Sequence, residues 1–154
     1  MKCKDLITKL LEVSPAMYSL EWDNSGLLVG DEEQEINKVL LSVDVTEEVV
    51  EEAIRVGADM ILAHHPLIFS KINKVVASDF LGKRIIKMIQ NNICCYCMHT
   101  NFDVMGMADA AADELGLLHL RDFRRFKRRR LEGEGGEGIP HLFAADYHDG
   151  LPER

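Results

Sequence analysis

Apolar and polar residues alternate along the chain in patterns that predict four helices. In residues 3–14, CKDLITKLLEVS, the apolar side chains have the spacing of one helix face, and Ser14-Pro15 ends the pattern. Further helices are predicted over residues 46–57, 79–92 and 107–116. Their ends carry the expected capping residues, with Thr46 before the second helix and Gly57 after it.

Three apolar runs between these helices predict buried strands, over residues 39–45, 59–64 and 93–98. Strand and helix therefore alternate along the chain, which is typical of a parallel sheet covered by helices. The sequence predicts a three-layer, parallel-sheet α/β domain over residues 1–120.

Residues 121–154 do not continue this pattern. The segment RDFRRFKRRRLEGEGGEGIPHLFAADYHDGLPER lacks the periodicity of helix or strand, and its GEGGEG stretch is typical of loop or disorder. We expect residues 121–154 to be an irregular carboxyl-terminal tail, disordered or produced by a change of reading frame, that packs poorly against the domain. On this view the chain is a shortened protein.

Charge also separates the two segments. Residues 1–120 carry 19 acidic and 10 basic side chains, whereas residues 121–154 carry 7 acidic and 8 basic ones. Because nucleic-acid affinity depends on neutralising phosphates, the acidic body argues against a nucleic-acid partner. Only the basic stretch at 121–130, with Phe123 and Phe126 available for stacking, favours one, and a solvated tail explains it as well.

The sequence has neither a secretory leader pattern nor an apolar run long enough to span a membrane, so we expect a cytoplasmic protein. Its four cysteines, three of them in CCYC, do not resemble a secreted disulfide framework. Cys94 and Cys97 form a C-x-x-C that could bind zinc or act as a redox pair. Since they would point to opposite faces of a strand, we interpret them as core residues.

Polar residues that can bind metals follow each predicted strand. Asp44 ends the first strand, His64 and His65 end the second, and His99 and Asp103 follow the third. Ligands of parallel sheets lie at the carboxyl ends of the strands, so these groups are expected to meet. Histidine and aspartate together suit zinc, manganese, iron or nickel. The alternatives are hydrogen-bonded histidines and an Asn/Asp turn in MHTNFD.

Five motifs, in order, resemble the amino-terminal half of the Ngg-interacting-factor-three-like family. They are EWDNSGLLVG (21–30), SVDVTEEVVEEAI (42–54), ILAHHPLIF (61–69), HTNFD (99–103) and GMADAAADELGL (106–117). Members of that family are also called GTP cyclohydrolase type 2 homologues and dinuclear metal-centre hexameric proteins. The resemblance covers approximately residues 1–118.

The resemblance implies that His64, His65 and Asp103 bind a centre of two divalent metal ions inside a homohexamer. It implies a metal-dependent, cyclohydrolase-like hydrolase acting on a small nucleotide-like substrate, with His99 as the catalytic proton carrier. The family also has four further residues around the cavity, which correspond here to Trp22, Asp23, Asn24 and Asp44. The alternative is a non-catalytic metal-binding protein with a regulatory or scaffold role.

The chain departs from the family pattern at the second half of the site. The family supplies a histidine and, four residues later, a bridging glutamate, but His119, His141 and His148 are followed at that spacing by Phe, Ala and Pro. Two divalent ions bring four positive charges, and Asp103 returns one negative charge. We therefore predict at most one tightly bound ion, held by His65 and Asp103, because two close cations repel strongly without bridging ligands.

Overall fold

The computed structural model describes residues 1–116, which include every predicted helix and strand. Met1–Ala108 form one compact unit, and residues 109–116, which belong to a second unit, contain most of the last helix. The helices are α1 (Cys3–Val13), α2 (Glu47–Val56), α3 (Phe80–Gln90), α4 (Thr100–Phe102) and α5 (Ala108–Leu115). The strands are β1 (Gly26–Val29), β2 (Val39–Ser42), β3 (Met60–Ala63) and β4 (Cys94–Cys97). A 3₁₀ turn covers Ala16–Tyr18, and a π-helical segment covers Asp103–Met107.

The four strands form one sheet in the order β1-β4-β3-β2. β2 pairs with β3 and β3 with β4 in parallel, which confirms the predicted parallel arrangement of these three strands. β1 pairs antiparallel with β4, so the sheet is mixed. β1 was not predicted, because its apolar run, Leu27 to Val29, is too short to show a strand period.

Helices cover both faces of the sheet. On one face, Ile61 and Cys95 pack in a cluster with Val50 of α2 and with Ile85 and Met88 of α3. On the other face, the cluster comprises residues of α1 and its flanking segments together with the sheet residues Met60, Cys94 and Tyr96. This arrangement confirms the predicted three-layer α/β fold for residues 1–108.

All four cysteines are buried and free, as expected for core residues. Burial raises the pKa of Cys95 and of Cys97 to about 12, so both remain protonated thiols at neutral pH. A buried thiol of this kind is a poor nucleophile and a poor metal ligand. The C-x-x-C spacing of Cys94 and Cys97 thus reflects packing of β4.

The helix ends follow the sequence closely. Thr46 accepts a hydrogen bond from the N–H of Val49 at 3.3 Å, and Asp79 accepts one from Gly82 at 3.0 Å. Gly57 ends α2 with a φ of 65°, the left-handed conformation that glycine adopts without strain. These caps fix where the loops begin and therefore where the polar residues of the strand ends can lie.

β2 is one of the two edge strands of the sheet as described between residues 1 and 116, and its Leu41 is 72% exposed. None of the helices in this part of the chain is long and apolar enough to cross a membrane. The expected irregular tail at 121–154 lies outside the described residues, as does its basic stretch.

The close contact between Gly82 and Val76 generates a stability prediction. A Cβ atom at Gly82 would lie 2.3 Å from the carbonyl oxygen of Val76 and 2.6 Å from its nitrogen. Glycine to alanine normally stabilises a helix by about 0.5–1 kcal/mol. Here we expect Gly82→Ala to destabilise by about 1–3 kcal/mol, because the backbone must move to relieve the overlap.

Urea unfolding followed by circular dichroism would measure this change. Ile89→Ala, an exposed position of the same helix, is the control and should shift the free energy of unfolding by less than about 0.5 kcal/mol. Unchanged or increased stability of Gly82→Ala would contradict the prediction.

Candidate metal centre

The site lies where β3 and β4 end side by side. Ala63 and Cys97, the last residues of these parallel strands, are register partners, so the segments that follow them leave the sheet at the same edge. His64 and His65 follow β3 directly, and His99 follows β4 after one intervening residue. The parallel pairing therefore brings three imidazoles to one place.

The three rings form a compact cluster. Ring centroids are 4.9 Å apart for His64 and His65, 5.4 Å for His64 and His99, and 5.9 Å for His65 and His99. One ring nitrogen from each histidine lies within 4.8 Å of the other two, a spacing that one metal ion can bridge. His64, His65 and His99 are the residues that the geometry identifies as a metal-competent group.

The backbone explains how two consecutive histidines can face one site. The N–H groups of His64 and His65 donate to Ser42 and Val43, at 3.1 and 2.8 Å, so the chain remains attached to β2 after β3 has ended. The thiol of Cys97 also donates to the carbonyl of His64 at 2.8 Å. Since the regular pleat ends at Ala63, neighbouring side chains no longer alternate between faces.

Each of the three imidazoles is held through its Nδ1 atom. His64 Nδ1 lies 3.0 Å from the carbonyl oxygen of Met98, His65 Nδ1 lies 2.8 Å from Asp44, and His99 Nδ1 lies 2.8 Å from Asp23. Carbonyl and carboxylate oxygens only accept hydrogen bonds, so Nδ1 is the protonated nitrogen of each ring. In the neutral ring, Nε2 is then the nitrogen with a free lone pair, as in the metal-binding histidines of carboxylate–histidine–metal sites.

Asp103 completes the cluster from the π-helical segment. Its Oδ1 lies 3.5 Å from Nε2 of His64, and its side chain is partly exposed. The turn that carries it is fixed by Asn101, whose Oδ1 accepts from the N–H of His99 at 3.0 Å and whose Nδ2 donates to Ser14 at 2.9 Å. Single turns of π-helix occur frequently at functional sites, because they redirect a side chain within a helix.

Asp23 is the most enclosed charged group of the site, with a side chain that is 0% exposed. It accepts hydrogen bonds from His99 Nδ1, from the N–H and hydroxyl groups of Thr100, and from the N–H of Asn24. Burial opposes ionisation, but the bonds from Thr100, His99 and Asn24 outweigh it and hold the pKa of Asp23 below its usual range.

Two exposed aromatic side chains form the rim of the site. Trp22 packs edge-on against His99, with ring centroids 6.1 Å apart, and contacts Phe69 at 6.0 Å. Asn24 Nδ2 donates to the carbonyl of Ile68 at 2.5 Å and so ties the loop of Trp22 to the loop of Phe69.

The structure brings the sequence-predicted residues together at one edge of the sheet. Asp103 lies beside His64, whereas the carboxylate that faces His65 is Asp44. His99, expected as a proton carrier, lies within the imidazole cluster itself. The contact of Asp23 with His99 was not predicted, since the two are 76 residues apart in sequence. The one sequence signal for Asp23 was its place in the EWDNSGLLVG motif.

Sequence comparison identifies the family. The sequence model of Duf34/NIF3 (NGG1p interacting factor 3) matches residues 1–142. The chain belongs to the Duf34/NIF3 family. The match continues past Leu120, the residue where we expected the domain to end, and the boundary between domain and tail stays a prediction.

Curated relatives carry the name GTP cyclohydrolase 1 type 2 homolog. One from Clostridium perfringens is 42% identical over 118 residues, which are 75% of this chain and 45% of the relative. One from Staphylococcus epidermidis is 40% identical over 155 aligned residues, covering 99% of this chain and 42% of the relative. The chain thus spans less than half the length of these relatives.

Solved structures share the fold. A Bacillus cereus protein related to NIF3 superposes with a TM-score of 0.72 at 38% identity, covering 77% of this chain and 33% of that one. HcgD from Methanocaldococcus jannaschii superposes with a TM-score of 0.69 at 33% identity, covering 73% of this chain and 46% of that one.

The lowered pKa of Asp23 predicts a pH-dependent contribution to stability. Because its pKa is lower in the folded than in the unfolded protein, ionised Asp23 stabilises the fold above about pH 4, the unfolded pKa of aspartate. This contribution is lost as pH falls through the folded pKa. We expect Asp23→Asn to be less stable than the wild type at pH 7 and the difference to shrink towards pH 3.

Urea unfolding of both proteins across this pH range would provide the two curves. Other carboxylates titrate in the same range in both proteins, so the difference between the curves isolates Asp23. A difference that stays constant down to pH 3 would show that Asp23 does not supply the titrating contribution.

Proposed function

We propose that this chain binds a divalent metal ion in a hydrolase-type site. The proposal is carried by three clustered imidazoles that share one hydrogen-bonding arrangement. Each ring is hydrogen-bonded through Nδ1, which leaves Nε2 as the nitrogen available to a metal. Such preorganisation is expected of metal ligands and gives no advantage to solvated histidines. The proposed ligands are His64, His65 and Asp103, with His99 as the proton carrier beside them.

The donor set fits a first-row divalent ion. Imidazole and carboxylate ligands suit zinc, manganese, iron or nickel, and three protein ligands leave positions open for water and substrate. A bound ion supplies a hydroxide nucleophile at neutral pH and polarises the substrate. His64, His65 and Asp103 would hold the ion, and Nε2 of His99 would accept a proton.

The charge of the site bears on the number of ions. Asp44 and Asp23 add two negative charges to that of Asp103. However, Asp44 contacts Nδ1 of His65, and Asp23 contacts Nδ1 of His99. Used in this way they orient histidines and do not bridge two cations. We therefore propose one tightly bound ion per chain, although the family resemblance implies a centre of two.

The relatives named GTP cyclohydrolase 1 type 2 homolog support a hydrolytic reaction on a nucleotide-like small molecule. The exposed rings of Trp22 and Phe69 at the rim are compatible with a planar substrate.

The family resemblance further suggests a homohexamer acting in the cytoplasm. Light scattering after gel filtration would measure the assembly state, and a monomer would remove the hexamer from the proposal.

Metal content provides the first test of the site. Protein loaded with zinc and then dialysed should retain about one ion per chain, and His65→Ala or Asp103→Asn should lose most of it because a ligand is removed. Asp59→Asn is the matched control. Asp59 accepts hydrogen bonds from the N–H groups of Asn37 and Lys38, and it precedes β3, at the opposite end of that strand from the histidines. This variant should retain the metal.

Elemental analysis gives the stoichiometry directly. Two tightly held ions per chain would contradict the single-ion proposal and would require a further bridging carboxylate. Protein without any retained metal would contradict the metal site itself.

Turnover provides the second test. A panel of hydrolase assays with purine nucleotides should detect activity in the metal-loaded protein, and His65→Ala should abolish it. His99→Ala should lower the rate by about 10²–10⁴-fold if it transfers the proton. Metal binding without turnover in any assay would favour the non-catalytic, regulatory or scaffold role.

A further inference from the structure

Two carboxylates hold histidines of the cluster, and their surroundings differ sharply. Asp44 faces His65 with a side chain that is 62% exposed, whereas the side chain of Asp23, which faces His99, is fully enclosed. Water can replace the contact made by Asp44 at little cost. It does not reach the side chain of Asp23, so water cannot replace His99 as a partner of this carboxylate.

We propose that Asp23 is the positioning residue of His99: it fixes this ring as the Nδ1–H tautomer and directs Nε2 towards His64 and His65. The role of that nitrogen rests on the proposed metal site, but the tautomer of the ring does not. An unprotonated Nε2 is required both to accept a proton and to face a cation without repulsion.

The hydrogen bonds around Asp23 leave no room for an amide. Oδ1 accepts from His99 and from the N–H of Asn24, and Oδ2 accepts from the N–H and hydroxyl of Thr100. The Thr100 hydroxyl is itself fixed, because its oxygen accepts from the N–H of Leu20 at 3.0 Å. All the neighbours of Asp23 therefore donate to it, and only a carboxylate accepts on both oxygens.

Asparagine at position 23 must turn its NH₂ group towards one of these two sets of donors. If the NH₂ group faces Thr100, it opposes the backbone N–H there. If it faces His99, that ring is favoured in the other tautomer, with the proton on Nε2. The second orientation points an N–H dipole at the cluster and opposes a bound cation, whether or not His99 is itself a ligand.

The tautomer can be measured without any metal. Long-range proton–nitrogen correlation NMR of the full chain should show His99 protonated on Nδ1 in the wild type. In Asp23→Asn the tautomer equilibrium of His99 should shift towards the Nε2–H form. Asp59→Asn, a carboxylate-to-amide change that also leaves two backbone N–H groups short of an acceptor, should leave the His99 signals unchanged.

A double-mutant cycle with Co²⁺ as the probe tests the consequence. Asp23→Asn should weaken Co²⁺ binding by about 10- to 100-fold. In a His99→Ala background the same change should alter the affinity by less than about twofold, because the effect acts through the ring. A purely structural role for Asp23 would give the same loss in both backgrounds.

The outcomes separate this inference from the proposed function. Wild-type protein that binds no Co²⁺ overturns the metal site, while the His99 tautomer still decides the role of Asp23. A wild-type His99 protonated on Nε2, or equal losses of affinity with and without His99, overturns the inference. The wild-type spectrum gives this answer even if Asp23→Asn fails to fold.

Discussion

The parallel pairing of β3 with β4 is the constraint on which the site depends. Parallel strands in register end at the same edge of a sheet, and here the partners Ala63 and Cys97 are the last residues of both strands. A shift of the register would separate His64 from His99 by one residue step of about 3.3 Å. The apolar clusters on the two faces of the sheet hold this register, so core packing and site geometry are not independent.

The three clustered imidazoles are each oriented by an oxygen at Nδ1. The oxygen acceptors at Nδ1 fix the orientation of each ring in advance of any ligand. The proposed metal site would therefore require little reorganisation on binding a cation, which is the usual advantage of residues that orient metal ligands.

Local patterns were sufficient to predict helices α1, α2, α3 and α5, strands β2 to β4 and the polar residues at the strand ends. Thr46, Gly57 and Asp79 are helix caps whose chemistry acts within four residues, and the apolar runs of β2, β3 and β4 are bounded by clear polar positions. Convergence of His64, His65 and His99 followed from the parallel-sheet prediction.

The remaining features depend on contacts between residues distant in sequence. β1 is a strand because β4 supplies its antiparallel partner, and its short apolar run does not indicate this alone. The pairing of Asp44 with His65, and of Asp23 with His99, is decided by how loops fold over the sheet edge. An aspartate in a turn-like motif has the same sequence signal whether it binds its own backbone or a distant imidazole.

The position of β2 has a further consequence for the isolated protein in solution. A four-residue parallel strand with one described neighbour presents unpaired N–H and C=O groups beside the exposed Leu41. Such an edge can recruit a strand from another chain, which is a common route to aggregation. Its short length limits how many intermolecular hydrogen bonds can form, so colloidal stability at high protein concentration will depend on what covers this edge.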